Sequence, residues 1–301
     1  MLQIIAKRKV WFIISGTLCL ISLLALIFWG LKPAIDFTGG SLMEIEFNNT
    51  TVPHNSEISE ALVAVGVGNV NIQAIGDNGF LLRLQDINEE KHQEIIKTLR
   101  EKFSGNGEIV EARFESIGPA IGKELTEKAA WAIVLASILI IIYIAWAFRK
   151  VSKPVASWKY GTGAVIALLH DTLITCGVFA ILGHFYGVEV DILFVTALLT
   201  ILGYSVNDTI VVYDRIRENL YRHPEENYET VVNRSVNETI TRSINTSMTV
   251  MIVLLAIFFF GGITIHYFAL ALIIGIFFGT YSSIFVASAL MVAWNGWKKR
   301  A

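Results

Sequence analysis

Six long apolar runs constrain this chain of 301 residues more than any other feature. Residues 10–31 and 129–148 carry no charge, and 161–183 is interrupted only by His170 and Asp171. Residues 192–212 hold Asp208, 240–260 begin beside Arg242, and 267–294 form the longest run. Each is close to the ~20 residues an α-helix needs to cross bilayer hydrocarbon. Backbone groups in lipid must be satisfied within the segment, so the runs read as six transmembrane helices. Composition agrees: 54% of residues are hydrophobic and the mean hydropathy is +0.57, too apolar for an ordinary soluble domain. The first run is too long for a signal-peptide core and lacks a small-residue cleavage site, so it reads as an uncleaved anchor.

Charge sets the expected orientation. Lys7, Arg8 and Lys9 precede the first run; Arg149, Lys150, Lys153 and Lys159 separate the second from the third. Arg215, Arg217, Arg222 and Arg234 separate the fourth from the fifth, and Lys298, Lys299 and Arg300 follow the last. The short loops 184–191 and 261–266 contain no Lys or Arg. By the positive-inside rule both termini are cytoplasmic and 33–128 lies outside. That segment holds sixteen Asp or Glu against eight Lys or Arg, a net charge of −8. The expected division is therefore 1–32 (cytoplasmic N-terminus and first span), 33–128 (outside domain) and 129–301 (five further spans). Topology accounts for the basic clusters, so no nucleic-acid surface is expected. Cys19 and Cys176 both fall inside spans, which leaves neither a disulfide framework nor a cysteine metal site.

Within 33–128 the pattern is that of a small α+β domain. Residues 41–47 alternate as a strand, and 57–67 place Ile58, Ala61, Leu62 and Val65 on one helical face. Residues 71–75 and 80–84 flank Asp77-Asn78-Gly79, a strong hairpin signal. An amphipathic helix, 88–103, turns Ile95, Leu99 and Phe103 inward, and 108–117 is a last strand. The order β-α-β-β-α-β is that of a ferredoxin-like fold. His54 and His92 stand alone and are expected on the solvated surface, since metal sites cluster their ligands. Gly118 to Lys123 falls one residue short of a phosphate loop, with Glu124 where Ser or Thr would be needed; it reads as a joint into the next helix.

The polar residues of the spans carry the functional signal, because an ionisable group in hydrocarbon costs several kcal/mol. Thr196, Thr200, Gly203 and Asn207 share one helical stripe with Asp208 at its border, and Ala164, Ala167, Asp171 and Thr175 form another. Arg242, Asn245, Thr246 and Thr249 share a face of the fifth span. Ala271, Gly275, Gly279, Ser283 and Ala287, spaced by four, form a small-residue face suited to close helix packing. The expectation is that the polar faces turn toward each other. Asp208 and Asp171 are then proton-relay candidates whose charge responds to Arg242. The alternatives are a wetted Asp208 near the membrane boundary, an Arg242 that snorkels, and a His170-Asp171 pair that only hydrogen-bonds a neighbouring helix.

The stretches "DFTGG" (Asp36, Phe37, Thr38, Gly39, Gly40) and "GYSVNDTIVVYDRIREN" (Gly203 to Asn219) resemble hallmarks of the bacterial SecD/SecF family. "ALLHDTLIT" (Ala167 to Thr175) and "TRSINTS" (Thr241 to Ser247) resemble its third and fifth spans. Phe37 and the small outside domain favour the SecF branch. The resemblance implies a bundle related to the resistance-nodulation-division transporters, paired with SecD, often with YajC, beside the SecYEG channel. It implies an inner-membrane, non-enzymatic accessory subunit that uses the proton-motive force for late preprotein export, with protons as coupling ion and no other cofactor. Preprotein contact is expected to be indirect, and the spans to face membrane lipid. By position, Asp208 is the leading proton carrier, with Arg242 and Asp171 beside it.

Three other readings stand beside this one. The chain could be a purely structural partner for SecD, or part of a small-molecule efflux carrier. An intramembrane aspartyl protease built on Asp171 and Asp208 lacks the expected GxGD motif, since Gly203 is followed by Tyr-Ser-Val-Asn-Asp. No second set of spans is found within the sequence, which points to a partner for its polar faces.

Overall fold

The computed structural model describes residues 2–48, 52–68, 70–103, 108–148 and 157–298. It divides into two compact units, Met1–Lys32 with Ala129–Ala301, and Pro33–Lys128. Of the basic residues that set the expected topology, Arg149, Lys150, Lys153, Lys299 and Arg300 lie outside the described residues. The first helix, α1 (Arg8–Phe28), follows a single 3-10 turn.

In the Pro33–Lys128 unit a short helix, α2 (Ile35–Thr38), leads into β1 (Gly40–Asn48). Then come α3 (Asn55–Ala64), β2 (Asn71–Ile75), β3 (Gly79–Leu84), α4 (Glu89–Lys102) and β4 (Glu108–Ile117). The sheet order is β2-β3-β1-β4, and every pairing is antiparallel. This is the ferredoxin-like arrangement. One core binds both helices to the sheet: Met43, Ile45 and Phe47 of β1 meet Ile58 and Leu62 of α3 and Ile95 and Leu99 of α4. Asn88 caps α4 by accepting from the Lys91 N–H at 3.0 Å, which satisfies one of the helix's orphan donors.

His92 departs from the sequence expectation. It is buried, at 5% exposure, and its ring stacks on Phe114 of β4 with centroids 3.8 Å apart. Its Nε2 lies 2.6 Å from a Glu111 carboxylate oxygen and its Nδ1 3.2 Å from Glu89. Positions 92, 95, 96 and 99 share the inward stripe of α4, all buried, so the histidine goes inward with that stripe and finds polar partners there. His54 is exposed and caps α3.

The double glycine of "DFTGG" has a specific steric reason. Gly39 (φ +73°) and Gly40 (φ +124°) take backbone conformations that side chains resist. A Cβ on Gly39 would lie 2.8 Å from the Pro119 Cα, and one on Gly122 would lie 2.8 Å from the Gly39 nitrogen. The motif is a tight knuckle against the start of the following helix. Gly118 accepts from the Ile121 and Gly122 N–H groups, and Pro119 occupies the first helical position, where its missing N–H costs nothing.

The other unit contains α5 (Pro119–Ala147, shared across the boundary at Ala129), α6 (Ser157–Tyr186), α7 (Ile192–Arg222) and α8 (Tyr228–Phe260). It ends in α9 (Ile263–Tyr281), which passes through a π-helical segment, Ser282–Ala287, into α10 (Ser288–Lys298). Six helices are long and apolar enough to cross a membrane, α9 and α10 counting as one. Helices α7 and α8, of 31 and 33 residues, outrun their apolar stretches. Their charged ends stay helical because they pair across the hairpin. Arg215 binds Glu238 at 2.6 Å, Asn219 donates to Glu238 at 2.7 Å, and Arg234 binds Glu226 at 2.7 Å. The chain's first residues are held there too: the Ile4 and Ile5 N–H groups donate to Asn233 of α8 at 3.0 and 3.2 Å.

The small-residue face of the last span is buried at all five positions, Ala271, Gly275, Gly279, Ser283 and Ala287. A Cβ on Gly275 would lie 2.2 Å from Ile201 of α7, and one on Gly279 would lie 3.1 Å from Ser205. Glycine thus lets α9 and α7 approach backbone to side chain. The same device brings α1 against α6, where a Cβ on Gly177 would meet Ser22 at 2.2 Å.

Candidate functional site

The site is built where α6, α7, α8 and the π-helical segment converge. Asp171 is fully buried and Asp208 is 7% exposed. Asp171 sits on the inner stripe of α6 with Ala164, Ala167 and Thr175, all buried. Its Oδ2 accepts from Ser205 Oγ of α7 at 2.5 Å and from Ser282 Oγ at 2.7 Å. Its Oδ1 lies 2.8 Å from His170 Nδ1. Asp208, one turn beyond Ser205 on α7, accepts from Ser243 Oγ of α8 at 2.9 Å and from Ser283 Oγ at 3.4 Å.

These partners make the carboxylates tolerable in a bundle core, because a buried charge persists only where hydrogen bonds or counter-charges replace its water shell. The two sites are adjacent through their donors: Ser282 and Ser283 are consecutive, and Ser205 is three residues before Asp208. A π-helical turn widens the helix and often marks a functional position. Here it carries both serines.

Arg242 is exposed, and no ion pair within 4.0 Å joins it to either aspartate among the described residues. It lies within electrostatic reach of Asp208. The expected convergence of the polar faces is therefore corrected. Thr196, Thr200, Gly203 and Asn207 of α7 are exposed, and so are Arg242, Asn245, Thr246 and Thr249 of α8. Both stripes face away from this chain's own core. Adjacent residues on a helix differ by about 100°, so Asp208 turns inward while Asn207 turns out. The stripe threonines donate to their own helices, Thr200 to Thr196 O at 2.8 Å and Thr246 to Arg242 O at 2.9 Å. No hydrogen bond from Asn207, Asn245 or Arg242 side chains is found among the described residues.

Ser205, Ser243, Ser282 and His170 form the carboxylates' environment, and sequence reasoning did not place them in it. A weak signal existed: Ser205 and Asp208 are three apart, the spacing of one helical turn. Ser243 and Ser282 carried no comparable mark. A second polar contact crosses nearby, where Tyr204 donates to Ser247 at 3.3 Å and Ser247 meets Thr280 at 2.5 Å.

Fold and site together define a multi-pass α-helical membrane protein with a small ferredoxin-like domain and buried aspartates in its bundle. Residues 96–297 match the family described as protein export membrane protein SecD/SecF, C-terminal, and residues 25–51 match the SecD/SecF GG motif. A protein translocase subunit SecF from Thermobaculum terrenum is 44% identical over 98% of this chain and 94% of its own length. That of Anaerolinea thermophila is 40% identical over 100% of this chain and 98% of its own. A crystal structure of SecDF from Thermus, titled a translocon-associated membrane protein, superposes with a TM-score of 0.82 at 33% identity over 97% of this chain. A SecDF structure in a super-membrane-facing form gives 0.70 at 34% identity. The chain spans 38% and 39% of those two SecDF chains. The chain belongs to the SecF family of protein translocase subunits.

Proposed function

We propose that this chain is the SecF-type half of a proton-driven export machine. Its outward polar stripes on α7 and α8 meet the spans of a SecD-type partner, and Asp208 changes protonation at that boundary. Arg242 is the mobile counter-charge. The observation that carries this reading is the pairing of an exposed Asn207–Arg242–Asn245 face with a carboxylate directly behind it. Polar side chains facing lipid are costly, so such a face calls for polar partners. The length of the SecDF chains beyond the matched portion supports a partner of the SecD type. The family resemblance supports SecYEG and YajC as further partners, the preprotein as an indirect one, and protons as the only coupling species. The distribution of Lys and Arg supports cytoplasmic termini and an extracytoplasmic 33–128 domain.

The deciding experiment uses inverted membrane vesicles carrying the complex and a trapped late export intermediate. Asp208→Asn and Arg242→Met are expected to abolish proton-dependent completion of export while the complex still co-purifies. Unchanged export in both variants would falsify the coupling role. The exposed position of Arg242 also favours a second reading, in which the charges only specify helix pairing. There, Asp208→Asn would lower co-purification in step with export.

A further inference from the structure

We propose that His170 is a proton-transfer residue, the acceptor through which a proton reaches Asp171; this rests on the proton-coupled reading above. His170 is 6% exposed. Its Nδ1 faces Asp171 Oδ1 at 2.8 Å, while its Nε2 is buried with no hydrogen-bond partner among the described residues. Buried polar atoms are paired in the great majority of cases, and each exception asks for a reason.

In the state that receives a proton Asp171 is ionised, and that state sets the tautomer. The carboxylate accepts from Ser205 and Ser282 on Oδ2. An ionised carboxylate has no proton to give, so the contact at Oδ1 requires a hydrogen on Nδ1. A neutral imidazole then carries a bare lone pair on Nε2. Among the described residues, the titratable groups in contact with the ring are Asp171 on its own helix and Tyr281 of α9, stacked at 6.1 Å between centroids. Helix α7 presents Ser205 and the π-helical segment presents Ser282, neither charged. The Tyr281 hydroxyl is engaged with Ser15 at 3.1 Å and donates to no atom of the imidazole.

The transfer balances as follows. An incoming proton forms the Nε2–H bond. The Nδ1–H bond breaks and its proton passes to Asp171 Oδ1, leaving a neutral imidazole and a carboxylic acid with one proton gained overall. The donor to Asp171, Ser282, is followed directly by Ser283, the donor to Asp208, so a change at one carboxylate acts on the residue next to the other's donor. His170 is thereby a second protonation point, bonded to Asp171 and not to Asp208.

Two measurements test this on the full chain. The first is ¹⁵N NMR of histidine-labelled protein, with His170 assigned by its loss in His170→Gln. A bare Nε2 and a protonated Nδ1 at neutral pH are expected, with the Nδ1 preference lost in Asp171→Asn. A proton resident on Nε2 at neutral pH would overturn the proposal. The second is the pH profile of proton flux through the complex with its SecD-type partner in proteoliposomes. His170→Gln is expected to lower the flux about tenfold and to remove its rise on acidification, with Asp208→Asn inactive. A wild-type profile in His170→Gln beside an inactive Asp208→Asn refutes the His170 role alone. Full flux in both variants removes the proton-coupled reading and this role with it.

Discussion

Ser282 and Ser283, consecutive on the π-helical segment, donate to different buried carboxylates, Asp171 at 2.7 Å and Asp208 at 3.4 Å. They are not equivalent donors. Ser283 has the nearer alternative acceptor, the Thr280 carbonyl at 3.0 Å; Ser282 reaches the Gly279 carbonyl only at 3.2 Å. The Ser283 hydroxyl therefore divides its hydrogen between helix and carboxylate, while Ser282 is committed to Asp171.

That asymmetry predicts unequal variants. Ser282→Ala leaves a buried carboxylate short of a donor and is expected to destabilise the folded protein by about 1–3 kcal/mol. Ser283→Ala is expected to cost under about 1 kcal/mol. Thermal unfolding of the two purified variants in one detergent gives the comparison, and equal losses would contradict the division of roles.

The crossing of α9 on α7 depends on Gly275. Alanine there places a Cβ against Ile201, whose Cδ1, Cγ1 and Cγ2 all lie within 2.8 Å of it. Rotating one methyl away does not relieve all three contacts. Gly275→Ala is expected to destabilise by about 1–3 kcal/mol through overpacking, and adding Ile201→Ala is expected to recover part of the loss. Absence of recovery in the double-mutant cycle would show that the two positions are not coupled.

Gly40→Ala meets both a positive φ and the Leu84 carbonyl oxygen at 2.8 Å. A loss of about 1–3 kcal/mol is expected from the backbone conformation alone. Hydrogen exchange in the full-length protein reads this locally. Amides of the β1–β3 and β1–β4 pairings should lose protection while those of α7 keep theirs.

His92→Ala removes the stack on Phe114 and the bond to Glu111 from the interior of the Pro33–Lys128 unit. A cost of about 2–4 kcal/mol is expected, the sum of a lost buried ring and a carboxylate left unpaired. His92→Phe restores the ring but not the bond and should fall between. If His92→Ala exchanges its α4 amides as slowly as wild type, the buried placement has no energetic weight.

The outward face predicts a separation of assembly from folding. Asn207→Leu with Asn245→Leu should leave the chain's own thermal stability within about 0.5 kcal/mol, as expected for exposed positions. Co-purification with a SecD-type subunit should drop. Equal retention of the partner would place the interface elsewhere.

Much of this protein was legible in its residue order. Membrane spans declare themselves because lipid admits only self-satisfied helices, and the order of strands and helices along the Pro33–Lys128 unit followed from period-two and period-3.6 patterns around the Asp77-Asn78-Gly79 turn. The spacing of Thr200, Gly203 and Asn207, like that of Arg242, Asn245 and Thr246, established which residues share a face. Spacing did not reveal where that face points. In water a polar stripe turns outward and in lipid it turns inward, but a subunit can turn it toward a second chain, and all three leave the same period. Tertiary packing decided it: Gly275 and Gly279 draw α9 onto the Ile201–Ser205 side of α7, which directs Asp208 inward and leaves Asn207 outside. The serines around Asp171 and Asp208 come from helices far apart in sequence, up to 111 positions between Asp171 and Ser282. No local pattern encodes such a meeting, because it exists only once the helices have packed.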